Sequence, residues 1–94
     1  MRIEFEGQAA YDERKNCVLF AGRYRGLNAD KAFVCSVTRQ ALSALAGRTD
    51  ELPPEEMLKT YLTHANAINL MASAKYRQGD MRPVVDVTDL TKNR

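Results

Sequence analysis

Polar and apolar residues alternate from the first positions of the chain. Arg2-Ile3-Glu4-Phe5-Glu6 has period two, which predicts a strand with Ile3 and Phe5 facing inward and Gly7 breaking it. The stretch 8–16 reads as a connection pinned by Tyr11, with Asp12-Glu13-Arg14-Lys15-Asn16 as a solvated turn. Cys17-Val18-Leu19-Phe20-Ala21 is the most apolar run of the N-terminal half and has the length of a central strand. It continues through Arg23-Tyr24-Arg25, with Gly22 as a bulge. Gly26-Leu27-Asn28 makes the reversal, because Gly and Asn tolerate positive φ. A third strand over 31–37 places Phe33, Cys35 and Val37 on one face and Ala32, Val34 and Ser36 on the other. Thr38 then caps a short helix, Arg39 to Ala46, which packs through Ala41, Leu42 and Leu45 and stops at Gly47.

The longest periodic stretch predicts one helix over 54–78, roughly 37 Å at about 1.5 Å per residue. Pro54 suits the first helical position, and its ring pushes Pro53 out of helical geometry. Glu55 and Glu56 in the first turn and Lys75 and Arg77 in the last match the helix dipole, and Gly79 supplies a left-handed cap. Leu58, Tyr61, Leu62, Ala65, Ile68, Ala72 and Tyr76 form the stripe expected on the core. The opposite stripe is Thr60, Thr63, Ala67, Leu70 and Ala74, and no charged residue lies between Lys59 and Lys75. A helix so weakly polar all round is usually buried on two sides. The second stripe is the expected homodimer interface, against the same helix of a second copy; the plainer alternative is an Ala/Thr-rich solvated face. A membrane span is not expected, since the run falls short of about 20 apolar residues and contains His64, Asn66 and Asn69.

After a polar loop over 48–53 and the long helix, Asp80-Met81-Arg82-Pro83 is irregular. The stretch 84–88 reads as a last strand with Pro83 at its start, and 91–94 as a frayed tail. The expected architecture is α+β in the order β-β-β-α-α-β, an antiparallel three-strand meander with the helices on one face.

Composition narrows the picture slightly. The chain has 94 residues, 45% hydrophobic and 28% charged, with a formal net charge of +2. These values fit one domain over 1–94 of an ordinary globular protein. The start shows no basic-then-apolar leader, so a cytoplasmic protein is expected. Two cysteines make no disulfide framework. The near-neutral total conceals a polarised chain. Arg14, Lys15, Arg23, Arg25, Lys31, Arg39 and Arg48 share their segment with a single acid, Asp30. Arg23, Arg25, Lys31 and Arg39 could meet nucleic-acid phosphates on a sheet surface. The plainer account is an edge hairpin kept soluble by its cations.

Candidate chemistry is thin. His64 is the only histidine, and a nearby imidazole would lower the pKa of a thiol at Cys17 or Cys35. Cys35 alternates with Phe33 and Val37, which makes it a small core residue, whereas Cys17 is open to either face. No Cys-x-x-Cys or paired histidine offers a metal site. The acids of Asp12-Glu13 and of 50–56 sit in turns or at a helix start, where solvation and the dipole account for them. Gly22-x-x-x-Gly26 lacks the Lys-Ser/Thr of a phosphate loop. No catalytic residue, cofactor or small-molecule substrate is assigned. The expected function is a non-enzymatic homodimeric interaction module; the alternative is nucleic-acid binding, and an enzyme with a Cys/His site comes third.

Val18-x-Phe20, Gly26 and Phe33-x-Cys35-x-Val37-Thr38-x-x-Ala41-Leu42 together resemble a family of small bacterial proteins, the domain of unknown function fourteen-eighty-eight. Ile68-x-x-x-Ala72-x-x-Lys75 and Val85-x-Val87-Thr88 are also similar to its pattern. The resemblance spans most of the chain. It implies a small α+β fold and a bacterial origin, and it brings no activity or catalytic residue.

Overall fold

Alternation builds the sheet, and two features of the strands set its shape. The computed structural model describes residues 2–27 and 30–92. β1 (Arg2–Asp12), β2 (Cys17–Arg25) and β3 (Asp30–Thr38) form an antiparallel meander. α1 (Arg39–Ala46), α2 (Pro54–Thr63) and α3 (Ala65–Arg77) follow, then β4 (Val84–Val85) and α4 (Val87–Lys92). The sheet order is β1-β2-β3-β4, with β4 parallel to β3.

Gly7 does not end the first strand. It adopts φ 77°, and pairing resumes beyond it, so that the step from Phe5 to Ala9 spans only Gly22 to Phe20 on β2. This bulge adds an even number of residues and therefore keeps Ile3, Phe5, Ala9 and Tyr11 on one face. Gly22, expected as a bulge, is instead in regular register between Phe5 and Phe33. Its role is space: a Cβ there would lie 2.6 Å from Phe33 Cζ. The Phe33 ring lies over that position and stacks on Tyr76 with centroids 3.9 Å apart.

The inward faces of β2 and β3 contribute Val18, Phe20, Phe33, Cys35 and Val37 to the core. Onto them pack Ala41 and Leu42 of α1, Met57 and Tyr61 of α2, Ile68 and Ala72 of α3, and Val85 of β4. Phe20 stacks on Tyr61 at 4.8 Å. α1 has the expected bounds. Thr38 Oγ1 accepts the Ala41 N–H at 3.1 Å, and Gly47 closes the helix in the left-handed region at φ 70°.

The single long helix expected over 54–78 is divided at His64, whose φ of −110° and ψ of 20° leave the helical region. The His64 N–H is shared between the Thr60 and Tyr61 carbonyls, at 3.0 and 3.1 Å. Thr63 Oγ1 donates to the Lys59 carbonyl at 3.0 Å, the kind of side-chain competition for a backbone acceptor that bends helices. Tyr61 Oη donates to Asn69 Oδ1 at 2.8 Å and ties the two segments together. The core stripe is also turned: Met57 is fully buried, while Leu62, expected inside, is 59% exposed.

The last strand is shorter than the expected 84–88, and 87–92 form a helix in place of a strand end and a frayed tail. Positions 93 and 94 lie outside the described residues. The cause is a cap. Asp86 N–H donates to Asp89 Oδ2 at 2.8 Å, as in a capping box, and Asp86 Oδ1 accepts from Val87 N–H and Thr38 Oγ1. Lys75 Nζ stands 3.1 Å from Asp89 Oδ1. One polar network thus fastens the start of α1, the end of α3 and the start of α4 to the same sheet edge.

Candidate interaction surfaces

All the helices that build the core lie on one side of the sheet. The molecule therefore presents two surfaces of interest, the outer side of α2 and α3 and the uncovered face of the sheet.

On the helices, Thr63, Ala67, Leu70 and Ala74 are exposed and Thr60 is half-buried, with Leu70 72% exposed. Leu62 joins them. The turn at His64 separates Thr60 and Thr63 on α2 from Ala67, Leu70 and Ala74 on α3, so the stripe is not one straight seam.

Alternation places Arg2, Glu4, Ala10, Leu19, Ala21, Arg23, Arg25, Ala32, Val34, Ser36 and Val84 on the uncovered sheet face. It divides along the strands. One end is charged: Arg25 Nε is 3.0 Å from Glu4 Oε2, Arg23 Nη1 is 3.6 Å from Asp30 Oδ2, and Arg2 also reaches Glu4. The other end is apolar, with Val34 52% and Val84 44% exposed. Beside the Gly7 bulge, a shallow groove of about 320 Å³ is lined by Ala10, Leu19, Ala21 and Val34, with Glu6 and Gln8 at its polar side. This face was written in the alternation of β2 and β3, but the strand that completes its apolar end, β4, was not placed from sequence.

The four cations picked out as a phosphate-binding group are not brought together. Arg23 and Arg25 lie on the uncovered face and already have carboxylate partners. Lys31 pairs with Tyr24, whose ring meets Tyr76, and so belongs to the helix-covered side. Arg39 stands at the far end of β3, with Nε 3.4 Å from Glu51 Oε1.

Both cysteines are buried and free. Burial pushes the Cys35 thiol up to about 12, with Asp80 adding to the effect. Burial, and then Asp12, also raise Cys17, against a small lowering by Lys15. A raised pKa keeps sulfur protonated and weakly nucleophilic at neutral pH. Among the described residues, no cluster of three or more His, Cys, Asp or Glu is placed to hold a metal ion. No helix among them is long and apolar enough to cross a membrane.

The fold has a solved counterpart. The crystal structure of a protein of unknown function from the DUF1488 family of Shewanella loihica PV-4 is similar to this chain with a TM-score of 0.73. The likeness covers 90% of this chain and 94% of that one at 19% identity, which speaks for the fold alone. No curated protein matches the chain. The family model described as "Protein of unknown function (DUF1488)" matches residues 3–88, the span from the first strand to the start of the last helix, and the chain belongs to that family.

Proposed function

We propose that this protein is a non-enzymatic interaction module that works as a homodimer in the bacterial cytoplasm. The observation that carries the reading is the apolar side chain left facing outward: Leu62 and Leu70 on the helices, Val34 and Val84 on the sheet. Scattered single apolar residues are ordinary on a surface, but grouped ones mark contacts. The free, buried thiols suit a reducing compartment. Their raised pKa values argue against a nucleophilic role, and the carboxylates beside Arg23 and Arg25 argue against a phosphate surface.

The test is size-exclusion chromatography with light scattering at low and high salt, with absorbance at 260 and 280 nm. The chain has no Trp, so bound nucleic acid would dominate the spectrum. A dimer that persists in high salt with a clean protein spectrum is expected. A monomer that carries nucleic acid until salt removes it would replace this reading with phosphate binding.

A further inference from the structure

We propose that a second copy of this chain covers the uncovered sheet face, packing sheet on sheet about a two-fold axis that runs along the strands between β2 and β3. This rests on the homodimer reading and names its surface. An isologous contact requires a surface complementary to itself, and neighbouring positions of β2 and β3 supply one.

Cross-strand register sets rows across the face. Arg25 lies beside Asp30, Arg23 beside Ala32, Ala21 beside Val34, and Leu19 beside Ser36. The Leu19 row continues to Ala10 on β1 and to Val84 on β4. An axis along the strands lays β2 of one copy over β3 of the other at the same height. Arg25 then meets Asp30 of the second copy, Ala21 meets its Val34, and Ala10 meets its Val84, each contact occurring twice.

The alternative axis, across the strands, would turn the Arg23–Arg25 end over the Leu19–Ser36 end. Arg25 would then lose its match with Asp30 and lie toward Leu19 and Ala21, a costlier arrangement for a guanidinium. The axis along the strands also sets Arg23 over Ala32 and Leu19 over Ser36; its match rests on Arg25 with Asp30, Ala21 with Val34 and Ala10 with Val84. Face-to-face sheets stack about 10 Å apart with strands within about 30°, and the short side chains of Ala10, Ala21 and Ala32 permit that approach. The helix stripe lacks such a match and is interrupted at His64.

Three comparisons by light scattering test the proposal. Val34→Glu alters an exposed side chain, so the fold should hold by circular dichroism, and the dissociation constant should rise by about tenfold or more. Thr63→Lys with Ala67→Glu, on the helices, should leave the dimer intact. Arg25→Asp and Asp30→Arg should each weaken self-association, and mixing them should restore a dimer, because each variant carries the charge the other needs across the axis. A Val34→Glu dimer as tight as the parent, or an Arg25→Asp and Asp30→Arg mixture that fails to associate, overturns the sheet-face proposal. If the helix variant alone becomes monomeric, the homodimer stands on a different surface. If the parent is monomeric at every concentration, both readings fail.

Discussion

Gly22 shows how much one missing side chain can position. The Phe33 ring occupies the space above it and stacks between the sheet and Tyr76 of α3. Gly22→Ala forces that ring aside, and overpacking of this kind costs about 1–3 kcal/mol. Urea denaturation should report a loss in that range, and an unchanged midpoint would mean the ring relaxes freely. Cys35 makes a second residue-level case. Burial pushes its thiol from the ordinary value of 9.0 up to about 12. The folded state therefore holds the proton more tightly than the unfolded chain does. Its contribution to stability is full below pH 9 and declines as pH rises from there toward 12. Iodoacetamide at pH 7 should leave Cys35 unmodified in the native protein and label it readily in denaturant. Rapid native labelling would contradict the burial.

Among the elements, α1 and the broken long helix illustrate what a sequence makes legible. The bounds of α1 are written in residues that act locally, Thr38 as cap and Gly47 as left-handed stop. The ends of the long helical stretch were equally local, with Pro54 opening α2 and Gly79, at φ 104°, following α3. The break at His64 was not legible, because no Pro or Gly marks it and it goes with side-chain bonds that residue type alone does not announce, Thr63 to the Lys59 carbonyl and Tyr61 to Asn69. The helix α4 escaped because its partners are remote in the chain. Val84-Val85-Asp86-Val87-Thr88 reads as strand, yet Asp86 and Asp89 cap a helix once Thr38 and Lys75 stand beside them. Of the candidate surfaces, the alternation of Leu19, Ala21, Ala32 and Val34 was visible. Their row partners Ala10 and Val84 needed the bulge at Gly7 and the parallel placement of β4. Thr38→Ala tests the network. Removing both the cap of α1 and the bond to Asp86 should cost about 1–2 kcal/mol in denaturant stability. Thr38→Ser, which retains a hydroxyl, should recover most of that loss.

At the scale of the whole molecule, the organisation is one-sided. Four helices and the inward sheet face build a single core, while the other face of the sheet keeps a charged end and an apolar end exposed to solvent. A sheet with one solvated face is common, and its polar alternation normally keeps it so. Here Leu19, Ala21, Val34 and Val84 interrupt that polarity on adjacent strands, and Arg25 on β2 beside Asp30 on β3 offers a reciprocal ion pair to an identical surface. Self-association is read most directly as the molar mass of the unmodified protein, by light scattering over a concentration series in high salt. Twice the chain mass is expected, falling to the single-chain mass only on dilution. A single-chain mass throughout would contradict the homodimer.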